Sequence, residues 1–185
     1  MDTTQLEHAG AWRFDQLDGL PDDGRRYEVV DGLLVVSPPP TGWHQLVVGE
    51  LLVQLARQCP PQWRVLHELG LQLGTDGRVP DLAVLDAAAP LHTPFFAPQH
   101  FGLVVEVVSP SSCKTDRFAK PGEYAEAGIP LFWRVETDPR VVLVAYALSA
   151  ASYEQVAVIT DAGQVPTPWG DAHIDLSGLR PGSSS

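Results

Sequence analysis

The sequence predicts a mixed α/β domain in which helices flank one central sheet, and three observations support that fold class. A pattern typical of a β-hairpin comes early in the chain. An amphipathic helical stripe follows it, and a later apolar run is continuous, as in strands that are covered on both faces. Elements in this order pack as a sheet between helices.

The first predicted elements are a hairpin and a helix. Residues 1–25 are predicted to be a peripheral segment, and "RYEVVDGLLVVSPPP" predicts two strands joined by an Asp31-Gly32 turn. The prolines end the second strand, because proline cannot continue the hydrogen-bond ladder. Residues 43–58 predict a helix that carries one apolar stripe, with His44 on it.

The rest of the chain predicts strands and one more helix. "WRVLHELGLQL" predicts one bent strand or two short ones, and "RVPDLAVLD" predicts a strand whose start is marked by Pro80. "FGLVVEVVS" predicts the most buried strand. "SPSSCKTDRFAKPGEYAEAG" predicts a loop and a helix that Gly128 ends. "IPLFWRVET", "RVVLVAYAL", "YEQVAVIT" and a short "IDL" predict further strands. No linker divides the chain, so we expect a single domain over 1–185 with a flexible tail at 181–185.

Composition limits the classes of function. The chain is 44% hydrophobic with a formal net charge of -11, and Lys114 and Lys120 are its only lysines. This charge argues against broad, nonspecific DNA binding. The two cysteines form no CxxC pair, so neither a disulfide scaffold nor a zinc site is expected. There is no signal-peptide pattern and no apolar run of membrane-spanning length, so we expect a cytoplasmic protein.

Two acidic residues in apolar strands form the first candidate site. Alternation puts Asp81 on one face with Ala83, and Glu106 on one face with Val104. If the two strands are neighbours, the carboxylates converge, and a cation, a proton or a basic side chain must offset their repulsion. Mg²⁺ or Mn²⁺ fits two carboxylates, a backbone carbonyl and water. The structural alternatives are turn chemistry for Asp81 and an edge-strand charge or an ion pair for Glu106.

Lys120 is the next candidate, with Asp116 four residues before it and Tyr124 four residues after it. On a helix the three side chains would share one face. Lys120 could orient or deprotonate a water and stabilise developing charge. The alternative is a surface ion pair with Asp116. Pro121 favours a helix that starts at Lys120.

Two further candidates, Glu28 and His44, lie early in the chain. Glu28 stands within the first predicted strand. A single histidine on an apolar helical stripe is usually a core residue. His44 therefore becomes a site candidate only if its helix packs over the two carboxylates.

The fragments "YEVVDGLLVVSPPP…H", "VPDLAVL" and "LVVEVVSPSS…D…K…Y…GIPLFWRVE" together resemble a known family. It is the "putative restriction endonuclease" branch of the PD-(D/E)XK nuclease superfamily, and the resemblance runs from about Arg26 to the end of the chain. It implies a restriction-endonuclease-like core with metal-dependent phosphodiester chemistry. Asp81 and Glu106 match the metal-binding acids of that superfamily.

The resemblance also assigns the remaining candidates. The superfamily places a lysine two residues after the second acid, where this chain has Val108, and Lys120 matches a lysine moved to the following helix. Glu28 and His44 match the early acidic and histidine positions of the branch. Tyr124 matches an aromatic residue that would support the lysine.

The leading hypothesis is a Mg²⁺-dependent (or Mn²⁺-dependent) endonuclease-like hydrolase of DNA. Asp81, Glu106 and the Val107 carbonyl would hold the metal, Lys120 would position the attacking water, and Glu28 would act through water or a neighbouring group. One alternative is a catalytically degenerate fold that acts as a dimeric interaction module or a DNA-associated module. Another is a small-molecule hydrolase with a closed apolar pocket. We also expect a homodimer, because two sites most simply cut two strands and the 141–160 region offers apolar surface.

Overall fold

The computed structural model describes residues 10–109 and 115–180, apart from the side chain of Asp116. The predicted tail at 181–185 and the first part of the predicted peripheral segment lie outside the described residues. The helices are α1 (Gly42–Gln58) and α2 (Lys120–Glu126), with a π-helix at Thr115–Ala119 and two short 3₁₀ helices. No helix among these residues has the length and apolar character needed to cross a membrane. The strands are β1 (Arg26–Val30), β2 (Leu33–Ser37), β3 (Trp63–His67), β4 (Gly70–Leu73), β5 (Asp76–Arg78), β6 (Leu82–Asp86), β7 (Phe95–Phe96), β8 (Phe101–Val107), β9 (Leu131–Glu136), β10 (Val142–Ser149), β11 (Ser152–Ile159), β12 (Ala162–Thr167) and β13 (Gly170–Asp175).

A six-stranded mixed sheet forms the centre of the fold, in the order β11-β10-β9-β8-β6-β3. β8 and β9 run parallel, and the other neighbouring strands are antiparallel. All seven residues of β8 are buried. The prediction that this strand is covered on both faces is therefore confirmed.

The two helices cover opposite faces of this sheet. On one face, Val47 and Leu51 of α1 pack into a cluster with Val105. On the other face, Tyr124 of α2 packs into a second cluster with Val104. The fold is the α+β arrangement that the sequence predicts, with a sheet between helices.

Helix α1 is fixed at both ends. Its N-cap Thr41 accepts a hydrogen bond from the backbone N–H of His44 at 3.2 Å. Near its C-terminus, Gln54 and Gln58 each exchange two hydrogen bonds with the backbone of β13. These hydrogen bonds fix the position of α1 relative to β13. His44 lies in the first turn of the helix.

Helix α2 starts at Lys120, but it continues directly from the π-helix at Thr115–Ala119, so the helical segment begins five residues before the start that Pro121 predicts. Pro121 lies in the first turn of α2, a position where proline is common. The helix ends before Gly128, whose φ of 77° is the left-handed value that favours glycine after a helix. This short helix carries Lys120 and Tyr124 towards the central sheet.

The predicted N-terminal hairpin is confirmed, and it belongs to a second sheet. Asp31 and Gly32 both have positive φ, as a two-residue hairpin turn requires. The hairpin strands continue into a five-stranded sheet in the order β2-β1-β5-β4-β7. β1 pairs with β5 through Val29 and Gly77, so this sheet brings β1 close to the chain that enters β6.

The strand predicted within "RVPDLAVLD" begins just after Pro80, the residue that was expected to mark its start. Arg78 ends β5 in the five-stranded sheet, and Leu82 begins β6 in the six-stranded sheet. Pro80 lies between them. Proline has no N–H to donate to a strand ladder, and it restricts the backbone conformation of the residue before it. Asp81 therefore stands where the chain passes from one sheet to the other.

The prediction of a single short strand near "IDL" is wrong. β12 and β13 form a hairpin of six residues on each side. β12 contains Gly163 and Pro166, which have low strand propensity and obscure the pattern. Packing decides the outcome, because Val165 and Ile174 are fully buried in the cluster under α1.

Candidate active site

Asp81 and Glu106 lie opposite each other on neighbouring strands of the central sheet. The β6–β8 register pairs Leu82 with Val105, and continuing it by one residue sets Asp81 against Glu106. Alternation puts both side chains on the same face. The two residues are only 2% and 1% exposed. The structure thus brings together the two carboxylates that the sequence analysis paired.

Asp81 is held by three groups. Its Oδ2 accepts a hydrogen bond from the Val107 N–H at 2.7 Å and lies 3.2 Å from Nε2 of His44. Its Oδ1 lies 2.8 Å from Nη2 of Arg26, but no described donor is aligned on that oxygen. Burial favours the neutral acid, yet the His44 hydrogen bond and the charges of Arg26, His44 and Lys120 outweigh it and lower the pKa of Asp81 to about 2. Asp81 is therefore ionised at neutral pH.

Glu106 is held by two residues of α2. The Tyr124 hydroxyl donates a hydrogen bond to Oε1 at 2.6 Å, and Nζ of Lys120 lies 2.9 Å from Oε2. Burial and the charges of Glu106 and Glu28 raise the pKa of Tyr124 well above its ordinary value, so its hydroxyl stays protonated. The lysine that the sequence analysis placed on the following helix points at Glu106.

Lys120 does not lie at the surface, where the alternative ion pair with Asp116 would place it. Lys120 is only 3% exposed. The Asp116 side chain lies outside the described part of the chain. Lys120 is therefore a buried cation directed into the cluster of acids.

Glu28 joins this cluster from β1. Its Oε1 accepts a hydrogen bond from the Val79 N–H at 2.9 Å and lies 3.9 Å from Nζ of Lys120. Its Oε2 lies 3.6 Å from Nη1 of Arg78, which also makes a bidentate contact with Glu123 at 2.7 and 2.6 Å. Burial disfavours the charged form of Arg78, but these acids outweigh it and raise the pKa of Arg78.

His44 meets the condition set by the sequence analysis, because α1 places it against Asp81. Arg26 reaches the same carboxylate from β1, and its Nη2 also lies 3.1 Å from Oε1 of Glu68. Burial disfavours the charge of Arg26, but the charges of Asp81 and Glu106 outweigh it and raise the pKa of Arg26. The imidazole and the guanidinium hold the two sides of one acid.

Sequence reasoning missed the two arginines of the cluster. Arg26 and Glu28 alternate on one face of β1, so their common direction could have been read from the "RYE" pattern. Arg78 gave no such signal, because "RVPD" was read as the start of a single strand. In this cluster three buried acids (Glu28, Asp81 and Glu106) lie against Arg26, Arg78 and Lys120, while Glu68 and Glu123 also pair with the two arginines.

The cluster contains oxygen donors suited to a divalent cation. Asp81 and Glu106 supply carboxylates. The Val107 N–H faces Asp81, and its carbonyl projects from the same strand edge. Within residues 10–109 and 115–180, no three His, Cys, Asp or Glu side chains converge as a ligand set. Any metal at this position would therefore rely on two carboxylates, backbone oxygen and water.

Comparisons with known proteins bear on the fold and the family of this chain. A solved structure, "a putative nuclease belonging to DUF820 from Anabaena variabilis", is similar to this chain with a TM-score of 0.71 and 19% identity, over 90% of this chain and 96% of that one. That likeness supports the restriction-endonuclease-like fold. A comparison with curated proteins finds no match. The model of the Uma2 family, described as "Putative restriction endonuclease", matches residues 13–169. Since that match spans most of the described sequence, the chain belongs to the Uma2 family.

Proposed function

We propose that this protein is a Mg²⁺-dependent endonuclease-like hydrolase that cleaves DNA phosphodiester bonds. One observation carries the proposal: Nζ of Lys120 lies 2.9 Å from Oε2 of Glu106, which stands opposite Asp81. Two acids and one lysine on a single face form the minimal set for metal-assisted phosphodiester hydrolysis.

The residues present fit a divalent cation with hard oxygen ligands. Oδ1 of Asp81 is buried and has no aligned donor among the described residues, so it can accept a ligand bond. Glu106 and the Val107 carbonyl complete the donor set. When bound, Mg²⁺ or Mn²⁺ lowers the pKa of a coordinated water and stabilises charge on the leaving group.

The other residues have positioning roles in this proposal. The Lys120 ammonium can donate to an attacking water or to a phosphate oxygen as negative charge develops there. The Tyr124 hydroxyl fixes Glu106 by donating to Oε1. Glu28 lies 3.9 Å from Nζ of Lys120 and limits where that amine can lie.

Arg26 sets a condition on metal binding. It contacts Oδ1 of Asp81 at 2.8 Å, and its side chain is 19% exposed, which leaves it a path outwards. A cation at this oxygen has to displace the guanidinium. Metal binding therefore involves an exchange of one positive charge for another at Asp81.

A plasmid-nicking assay with Mg²⁺ and Mn²⁺ tests the activity. Wild type is expected to nick the plasmid, whereas Asp81→Asn and Glu106→Gln, which keep side-chain size, are expected to lose nicking. Circular dichroism and urea unfolding check that each variant is folded. Equal nicking by all three proteins would assign the activity to a contaminant, and the proposed nuclease function would lose its support.

Calorimetry with Mn²⁺ tests the metal site separately from cleavage. Glu106→Gln and Glu106→Ala are expected to lose Mn²⁺ binding, because each removes a charged oxygen ligand. Arg13→Met is a matched control, because Arg13 is exposed and lies outside the cluster. Unchanged Mn²⁺ affinity in both Glu106 variants would reject this metal site.

The second candidate function is a catalytically degenerate module that binds a partner or associates with DNA. The favouring observation is that Arg26 and Lys120 already compensate Asp81 and Glu106 without a metal. The net charge of -11 agrees with that reading. Absence of both nicking and Mn²⁺ binding in a folded wild-type protein would favour this function.

We also propose that the protein is a homodimer. β11 is an edge strand of the central sheet as described, and Val156 and Val158 on it are 51% and 48% exposed. Sedimentation should give a dimer for wild type and a monomer for Val156→Lys with Val158→Lys. A monomeric wild type would exclude the dimer.

A further inference from the structure

A cavity of about 240 Å³ opens directly beside Asp81. Its polar side is formed by Arg26, His44 and Asp81, with His67 and Glu68 at the β3 end. The cavity is thus continuous with the proposed site. The residue roles in the proposed hydrolysis do not require this cavity.

Beyond His44, the α1 side of the cavity is largely aliphatic. It is formed by Pro40, Val48, Gly49 and Leu52, most of them from one side of α1. A Cβ added to Gly49 would meet no heavy atom within 4 Å. The missing side chain at Gly49 therefore leaves room that a ligand can fill.

One buried polar atom on the cavity lining lacks a hydrogen-bond partner. His44 lines the cavity with a side chain that is only 10% exposed, and its Nδ1 has no partner among the described residues. Its Nε2 faces the ionised Asp81 carboxylate, which can only accept a hydrogen bond. Buried polar atoms normally have partners, so Nδ1 of His44 indicates a missing ligand.

The size and lining of the cavity select one kind of occupant. At about 240 Å³ the cavity is smaller than the roughly 300–1,000 Å³ typical of pockets for drug-sized ligands, so it suits one small ring system such as a nucleobase. A flat base fits against an aliphatic wall while polar atoms meet its edge. The net charge of -11 also argues against a broad basic surface of the kind that tracks a duplex.

We propose that this cavity receives one unpaired nucleobase of the substrate, so that the site acts on single-stranded DNA or on a nucleotide flipped out of a duplex. This inference rests on the proposed nuclease function. The base lies against Val48 and Leu52 of α1, with its polar edge towards His44 and Arg26. The adjoining phosphodiester then lies at Asp81 and Arg26.

Binding of a short, all-phosphorothioate single strand with one 2-aminopurine tests the proposal in the presence of Mg²⁺. Wild type should raise the fluorescence, because the base leaves its stacked neighbours for an aliphatic wall. Gly49→Leu fills the cavity, and leucine has a higher helix propensity than glycine, so the fold is retained. We expect about ten- to a hundredfold weaker binding and no fluorescence rise for Gly49→Leu.

Gly42→Leu is the matched control, because Gly42 lies in the same helix with open space but away from the cavity. Val48→Phe provides a second way to narrow the same wall. Wild-type affinity and fluorescence in both Gly49→Leu and Val48→Phe would overturn the proposal. If wild type nicks plasmid while both variants nick and bind like wild type, this inference fails and the nuclease function stands. If wild type neither binds nor cuts any strand, the nuclease function is rejected, and this inference is rejected with it.

Discussion

Replacing Lys120 with methionine tests how the protein tolerates the buried acid at Glu106. The two side chains are 4% and 1% exposed, and Nζ lies 2.9 Å from Oε2. The pair therefore belongs to the buried class, in which removing one partner costs about 3 to 5 kcal/mol because a charge loses its counter-charge. Lys120→Met should lower the free energy of unfolding by about that amount.

A double-mutant cycle separates the pair from the loss of packing. Urea unfolding at neutral pH would compare wild type, Lys120→Met, Glu106→Gln and the double variant. The double variant should be more stable than the sum of the single losses predicts, because it removes both charges together. Arg13→Met should be close to wild type, since the exposed Arg13–Asp15 pair contributes little.

The same variant probes the proposed metal. A divalent cation would replace the missing positive charge at Glu106, so Mn²⁺ should raise the melting temperature of Lys120→Met more than that of wild type. A loss of stability no larger than that of Arg13→Met would refute the reasoning about the Lys120–Glu106 pair. Equal Mn²⁺ effects on both proteins would refute the charge-replacement step alone.

Three further predictions concern the same cluster. The pKa of Asp81 is lowered to about 2, so the stability that its charge contributes is complete above the ordinary pKa near 4 and disappears as the pH falls to about 2. Over that range, urea unfolding should show that wild type loses about 2 kcal/mol of unfolding free energy that Asp81→Asn does not lose. The same pH dependence in both proteins would contradict the assignment. Arg78→Met should destabilise the fold by about 3 to 5 kcal/mol, because Glu28 then stays buried without this counter-charge. Adding Glu28→Gln should recover part of the lost stability. Strictly additive losses in the double variant would argue against the Arg78–Glu28 pair. Tyr124→Phe should cost about 1.5 to 3 kcal/mol by removing the 2.6 Å hydrogen bond to Glu106, and unfolding at wild-type midpoint would show that this bond contributes nothing.

The parts of the site that sequence predicts are those set by local periodicity. Alternation in "LVVEVV" and "DLAVL" fixes the faces of Glu106 and Asp81, and β6 and β8 are neighbours as required. The helical stripe of α1 likewise places His44 on its buried side. Each of these inferences depends on residues close together in the chain.

The parts that sequence does not predict depend on contacts between distant segments. Arg26 reaches Asp81 only because β1 pairs with β5 across Val29 and Gly77. Arg78 enters the cluster only because Pro80 separates two strands that belong to different sheets. Local patterns carry no information about such pairings, so the two arginines of the cluster remained hidden while its acids and Lys120 were found.

Lys120 reaches Glu106 from the helix that covers the Glu106 face of the sheet, and not from the strand that carries Glu106. Val108 and Glu106 share a face by alternation, so a lysine at 108 would approach the acid along its own strand. Here Val108 is only 5% exposed, and its N–H bonds to the Val135 carbonyl at 2.8 Å. Helix α2 packs on that same face and begins at Lys120, so the amine arrives from above the sheet instead.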